Sequence, residues 1–423
     1  MKKLFVSVGL VAIGTVGLQA ANAPDGGPDA SKIYSVSATL RGFYDDNYLT
    51  TFKKQSSVGF EVSPSFKLNM PLQQTEIGLQ YTYGLYYYQK REDLGQKPID
   101  QTHQFDLWLD HKFSPRWEVR LEDSVVVAQD PALLTPNAVT KAQRAEGNNL
   151  VNTAKISLDT VWTRLFSTQF NYQNTVTSYE NSGGNAFMPS LSGLLNRVDQ
   201  SAALDLQWQV MKETVALVGY QIGLVNFIGN EQIAPGPNGT FYNSDSRDNL
   251  SHYGYVGAQH TFLENLKGSA KVGVQYTTYY NDPSATSALG PYADASLIYT
   301  YAAGSYMQLG VMETRNATDT VNVDASTGRI TQDQESTVVY GSINHPLTPK
   351  LMASAVGHFQ YSTYHNGQFN NQSAKFYSLG LNLAYAFTRH FSSELGYNFD
   401  YYTSPASLTY TRNRVYLGVT ASY

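Results

Sequence analysis

Charged side chains that recur at every second position are the residues of this chain best placed to do chemistry. Asp106 and Asp110, then Glu118, Arg120 and Glu122, then Lys267 and Lys271, then Arg412 and Arg414 all keep even spacing. Successive side chains of an extended chain point to opposite faces, so residues at even spacing share one. A charged face of that kind orders water and attracts or repels ions; it breaks no covalent bond by itself. Covalent catalysis needs other features. The chain has no HExxH, GxSxG, phosphate-loop or GxGxxG pattern, the arrangements that supply a metal-bound base, an activated serine or a nucleotide cradle. Its eight histidines (His103, His111, His252, His260, His345, His358, His365 and His390) are scattered, most of them near predicted strand ends. With no cysteine present, a thiolate metal site, a thiol nucleophile and a disulfide framework are excluded together. The expectation is a protein that is not an enzyme and that holds no metal or cofactor. Between Ile228 and Asp248, the side chains of Asn230, Glu231, Asp245 and Asp248 offer hard oxygen ligands. Their spacing follows no known calcium loop, so a solvated polar loop is the favoured reading.

The elements that carry the charges must be strands. Charged residues make up only 15% of the chain, against roughly 25% in globular proteins. Aromatic residues reach 13%, with 32 tyrosines, a side chain suited to boundaries between apolar and wet surroundings. A mean hydropathy of −0.32 argues against a helical membrane protein. It leaves a membrane barrel open, because strands of such a barrel turn every second residue to water. The first residues read as a signal peptide over 1–23: Lys2 and Lys3, an apolar stretch from Leu4 to Leu18, then Ala20, Ala21 and Ala23. Cleavage falls after Ala20 or Ala23; Pro24 sits awkwardly behind the second. A short segment at 24–32 precedes the first strand. Loss of the leader takes 29 basic residues to 27 against 34 acidic ones, a net charge of −7, which makes nucleic acid an unsuitable partner.

From Ile33 to Tyr423 one pattern repeats. Apolar and polar or small residues alternate in segments near 33–44, 57–70, 75–90, 101–113, 116–128, 150–163, 165–178, 198–210, 214–227, 249–262, 266–280, 291–301, 305–316, 336–345, 351–364, 374–387, 391–402 and 410–423. Each suits a tilted strand of roughly 9–11 residues crossing the hydrocarbon. Short turns, as at Pro71–Gln74 and Met211–Glu213, alternate with long loops, as at Asp45–Ser56, Gln129–Asn149, Tyr179–Arg197, Ile228–Asp248 and Ala317–Glu335. The pattern predicts an all-β fold: a single closed antiparallel transmembrane β-barrel of about 18 strands over 33–423, with short periplasmic turns and long external loops. Tyr86–Tyr88, Tyr279–Tyr280 and Tyr401–Tyr402 beside external loops, and Trp117, Phe166, Phe262, Phe387 and Phe391 beside turns, read as two aromatic girdles. The last strand ends in Tyr423 and must pair with the first to remove an open edge.

Alternation also sorts the charges. Arg41, Glu61, Lys67, Glu76, Asp106, Asp110, Lys112, Glu118, Arg120, Glu122, Lys155, Asp159, Asp199, Asp205, Lys267, Lys271, Asp294, Glu394, Asp400, Arg412 and Arg414 fall on the inner face. An Arg or Lys facing lipid at the midplane costs about 2–4 kcal/mol, so the interior must be wet or filled by a polar network. Arg41, Asp106, Asp110, Glu118, Arg120, Glu122, Lys267, Lys271, Arg412 and Arg414 are the candidate pore-lining residues. Two arrangements are open: separated rows of opposite sign that set a transverse field, or ion pairs that brace the wall. Phe43, Tyr86, Tyr88, Trp108, Tyr279, Tyr292, Tyr306, Phe376 and Tyr416 also point inward, either as a stacked track for sugars or as girdle and filler. Ala132, Leu133, Leu134, Ala138 and Val139, followed by Lys141, Arg144 and Glu146, give Gln129–Asn149 the composition of a loop that folds into the lumen.

In this layout, and in the acidic turn YDDNYLT at Tyr44–Thr50, the chain resembles the outer-membrane family of Gram-negative bacteria named putative β-barrel porin. The resemblance implies a bacterial outer-membrane location and contributes no catalytic residue. Some members of the family resemble porins and others look linked to exopolysaccharide export. The favoured function is a porin-like channel for passive diffusion of small hydrophilic solutes or ions. The alternatives are the outer-membrane component of exopolysaccharide export, and a barrel enzyme or adhesin acting through its loops. Expected partners are outer-membrane lipid and lipopolysaccharide, the barrel assembly machinery, and further copies of the chain in a homotrimer.

Overall fold

The computed structural model describes residues 33–128, 148–282, 287–406 and 409–423. The expected leader at 1–23, the segment at 24–32 and nearly all of the third external loop, with Ala132, Leu133, Leu134, Ala138, Val139, Lys141, Arg144 and Glu146, lie outside the described residues. The strands are β1 (Tyr34–Asp45), β2 (Ser57–Pro71), β3 (Thr75–Tyr88), β4 (Ile99–Ser114), β5 (Trp117–Ala128), β6 (Asn149–Val161), β7 (Phe166–Tyr179), β8 (Arg197–Met211), β9 (Thr214–Phe227), β10 (Gln232–Pro235), β11 (Phe241–Asn243), β12 (Asn249–Leu263), β13 (Leu266–Tyr279), β14 (Ala288–Ala302), β15 (Ser305–Ala317), β16 (Asp333–Thr348), β17 (Leu351–His365), β18 (Ser373–Ala386), β19 (Phe391–Thr403) and β20 (Tyr410–Ser422). Eighteen of them form one antiparallel barrel, and β10 and β11 pair as a separate hairpin inside an external loop. Each of the predicted strands is present, with its bounds moved by no more than three residues. Two short helices, α1 (Gln89–Asp93) and α2 (Leu191–Leu195), sit in external loops and have no counterpart in the sequence reading.

Closure is direct. β1 pairs with β20 from Ser37 opposite Ser422 to Asp45 opposite Arg414. Val36 and Tyr423 add two backbone hydrogen bonds, 3.0 and 2.8 Å. A closed sheet leaves no strand edge for lipid to strand without partners. The outer face is an apolar surface, with Leu417 63%, Leu309 58% and Val256 55% exposed. In water this would be an aggregation surface; in a bilayer it is the solvated face.

Directly paired residues in an antiparallel ladder share a face, so register carries the inner face around the wall. Arg41 stands opposite Glu61, Glu61 opposite Tyr86, and Tyr86 opposite Asp100. Further round, Lys271 stands opposite Asp294 and Asp400 opposite Arg412. The girdles need one correction. Trp117, Phe262, Phe387 and Phe391 do face outward at the short-turn end, as do Tyr280 and Tyr401 at the other. Tyr86, Tyr88, Tyr279 and Tyr402, however, share the phase of the inward charges and are covered. A run of consecutive tyrosines on a strand must split between the two faces.

One ladder ends early. β14 and β15 pair from Ala302–Ser305 only up to Ala293–Glu313, although both strands continue beyond. Pro291, two residues on, has no N–H to give a ladder. The Gln275 side chain of β13 replaces it: its Nε2 donates to Arg315 O at 2.9 Å, and Arg315 N donates to its Oε1 at 2.8 Å.

Candidate functional site

Among the described residues, charged clusters and a cavity line the inner face. The first cluster straddles the closing seam. Arg41 Nη1 donates to Glu61 Oε1 at 2.8 Å and its Nε to Glu394 Oε1 at 2.5 Å. Arg414 lies 3.6 Å from Glu61, and Arg412 Nε donates to Asp45 Oδ2 at 2.8 Å. Rings cover these guanidinium groups: Arg414 sits 4.1 Å from the centre of Phe43, and Arg41 5.3 Å from that of Tyr416. A buried Arg without its partner costs about 3–5 kcal/mol, so strands β19, β20, β1 and β2 are tied by groups that need one another. Of the two arrangements open from sequence, this is the bracing one. At the seam the described arginines stand in ion pairs and not in a row of free positive charge. Nor do the rows oppose each other, since only β2 and β3 separate β1 from the acidic strands β4 and β5.

The second cluster lies on β4, β5 and β6. Arg120 Nη2 donates to Glu118 Oε1 at 2.8 Å, and Arg120 lies 3.4 Å from both Asp110 and Asp159. Asp106 accepts from Ser124 Oγ at 2.6 Å and Gln104 Nε2 at 2.9 Å. Glu122 stands between Trp108 and Lys155 in register and is exposed, as are Lys112 and, on β7, Gln173. This stretch of inner wall is exposed, open to water. The inner face of β16 to β20 is packed: Val338, Gln360, Ser362, Phe376, Ser378 and Asn382 are all buried. Lys271 does not join the wet strip. Its Nζ lies 2.7 Å from buried Asp205 and 5.0 Å from the centre of Tyr255. Lys267 shares its face, opposite Thr261 and Ile298.

The inward aromatics form separate clusters rather than one track. Phe43, Tyr48, Tyr88 and Tyr416 gather in one, Tyr253, Tyr255 and Leu217 with Tyr292 in another, and Phe376 with Tyr364, Tyr402 and Tyr410 in a third. Several lie flat over a glycine directly opposite on the next strand: Trp108 over Gly78, Tyr255 over Gly219, Tyr340 over Gly310 and Tyr416 over Gly396. A Cβ at any of these glycines would run into the ring. The rings are wall filler seated in gaps that glycine leaves.

At the long-loop end the inner face encloses a cavity of about 210 Å³ lined by Arg197, Ser201, Gln221, Ser251, Tyr253 and Gln275, with Arg315 and Asp333. Three external loops pack together at this end. Ile233 and Ala234 of β10 meet Ile330, with Leu194 and Val321 against them. Arg247 locks the three. Its Nη1 donates to Thr318 O at 3.0 Å, its Nη2 to Leu194 O at 2.7 Å, and its plane lies 3.9 Å from the centre of Phe227. Burial, helped by the Arg197 charge, pulls this guanidinium below its ordinary value. The oxygens weighed as calcium ligands are spent nearby on separate tasks. Glu231 accepts from the hydroxyls of Ser190 and Ser192, while Asp248 accepts from Phe227 N at 2.7 Å and Asn281 Nδ2 at 3.0 Å. No sequence signal marks Arg247, because its acceptors are backbone carbonyls of distant loops.

Comparisons with known proteins place one family match in the C-terminal part of the chain. Residues 238–423 match the family model described as Putative beta-barrel porin 2, the name under which the resemblance was drawn from sequence. No curated protein matches the chain. Among solved structures, the outer membrane protein OpdK of Pseudomonas aeruginosa is 10% identical, with 92% of this chain and 98% of that chain covered and a TM-score of 0.43. OccAB4 of Acinetobacter baumannii is 13% identical over 94% and 100%, with a TM-score of 0.42. The structure itself is a closed antiparallel β-barrel of 18 strands, and its C-terminal part, residues 238–423, is similar to that porin family.

Proposed function

We propose that the protein is a channel through which small hydrophilic solutes and ions diffuse passively across the outer membrane. The wet charged strip on β4 to β7 carries this reading. A barrel that served only as an anchor or a loop platform gains nothing from solvated charge on its inner wall. No energy source, cofactor or covalent step enters. Within the strip Asp106, Asp110, Glu118, Glu122 and Asp159 outnumber Lys112, Arg120 and Lys155, so cations are favoured at the wall.

Purified protein in a planar bilayer should give stepwise current. In a salt gradient the reversal potential should take the sign of cation preference, and Glu118→Gln with Glu122→Gln should reduce it. Silent insertion of folded protein would overturn the channel reading. Anion preference in the wild-type protein would overturn the assignment of selectivity to the strip.

A further inference from the structure

The outer wall carries the same polar device twice. On β3 and β4, Thr75 Oγ1 lies 2.7 Å from His111 Nδ1 and Tyr81 Oη lies 2.9 Å from His103 Nδ1. On β9 and β12, Thr214 Oγ1 lies 2.8 Å from His260 Nδ1 and Tyr220 Oη lies 2.6 Å from His252 Nδ1. The spacing agrees residue for residue: Thr-x5-Tyr on one strand, His-x7-His-x-Phe on the next. Ring geometry agrees as well. His111 meets Phe113 at 4.3 Å and 78°, and His260 meets Phe262 at 4.5 Å and 76°. Tyr81 and His103 lie 6.3 Å apart, Tyr220 and His252 6.2 Å. Four strands, β5 to β8, separate the two hairpins on one side. All four histidines are out of phase with the inward charges and face the lipid side.

Depth gives the device a meaning. The two histidines of a strand are eight residues apart. At about 3.4 Å per residue that is ~27 Å along the strand. A tilt of roughly 35–45° leaves ~19–22 Å along the membrane normal, close to the ~25 Å apolar band of such barrels. Each strand therefore sets one imidazole at each membrane interface. His111 and His260 stand at the short-turn end, level with Phe113 and Phe262. With the hydroxyl taken as the donor to Nδ1, the ring is the neutral tautomer and carries its proton on Nε2. At the edge of the hydrocarbon such a donor is costly without an acceptor. The acceptors abundant at that depth are lipid phosphate oxygens.

We propose that His111 and His260, each oriented by its threonine, are two binding sites for the phosphate group of a phospholipid in the periplasmic leaflet. The test is native mass spectrometry of the full barrel released from nanodiscs that contain phosphatidylglycerol and diacylglycerol of matched chains. The wild-type protein should retain phosphatidylglycerol in preference by roughly tenfold, the scale of one charge-assisted hydrogen bond. His111→Phe with His260→Phe keeps the ring stack and removes Nε2–H; the preference should disappear while heat-modifiable migration and conductance stay unchanged. Thr75→Val with Thr214→Val, which frees the ring to turn, should lose part of it. Equal retention of both lipids by the wild-type protein, or an unchanged preference in the double His variant, would overturn the proposal.

Discussion

At the scale of the residue, the wall is built from pairs in which one member makes sense only beside the other. Gly78 exists for Trp108, and Gly396 for Tyr416. Substituting Gly78→Val forces the indole from its seat, and overpacking of this kind costs about 1–3 kcal/mol; the urea midpoint of the purified barrel should fall accordingly, and Gly78→Val with Trp108→Ala should recover part of the loss. Asp45 and Arg412 are a second such pair, buried together. Asp45→Ala leaves an unpaired guanidinium and should cost about 3–5 kcal/mol, whereas Arg412→Met with Asp45→Leu should cost far less. Sequence alternation sorts the charges by face. It did not show which were neutralised, because Arg41 meets Glu394 across more than three hundred residues of chain and only ring closure brings them together.

Elements show where alternation ceases to inform. All the barrel strands were legible, since a period of two survives any context that keeps one face in lipid. The loops were less so: α2 starts at a Ser190 cap and α1 ends at Gly95 with positive φ, short local signals that a period of two does not register, and the β10–β11 hairpin is packed by contacts with distant loops. The end of β15 is another case. Its backbone is held by Gln275 in place of a strand, so Gln275→Ala should raise amide exchange across Thr314–Ala317 by roughly tenfold, one hydrogen bond's worth, and leave β13 protected. In the external cap, Glu231 meets a desolvation cost that the Ser190 and Ser192 hydroxyls and the Gly183 and Gly184 N–H groups together outweigh, holding its carboxyl below the usual range. A depressed folded-state value stabilises above the unfolded value and is lost as pH falls through the folded one. The protection factors of amides in 228–248, corrected for the intrinsic pH dependence of exchange, should therefore be steady above about pH 5 and should fall as pH drops below about 4.

Among the described residues the interior is lopsided: one side carries exposed charged and polar side chains and the other is packed. The chain contains no cysteine, so single cysteines report on this cleanly. Glu122→Cys and Gln173→Cys should react rapidly with a charged thiosulfonate in reconstituted channels and lower the current on modification. Ser362→Cys and Asn382→Cys, on the packed side, should stay unmodified. Rapid reaction at all four positions would show water on both sides of the lumen.

The ion pairs at the seam bear on how the ring finds its one correct closure. A slip of β20 against β1 by a single residue would turn leucines inward and is rejected by hydrophobicity alone. A slip by two keeps every side chain on its proper face, and alternation is blind to it. It would, however, seat only one arginine in the other's place, because Arg412 and Arg414 are two residues apart, and would leave the second carboxylate of the Asp45 and Glu61 pair without its buried partner. The seam thus works as a key with its own parity check: lipid reads odd errors, and the arginines read even ones.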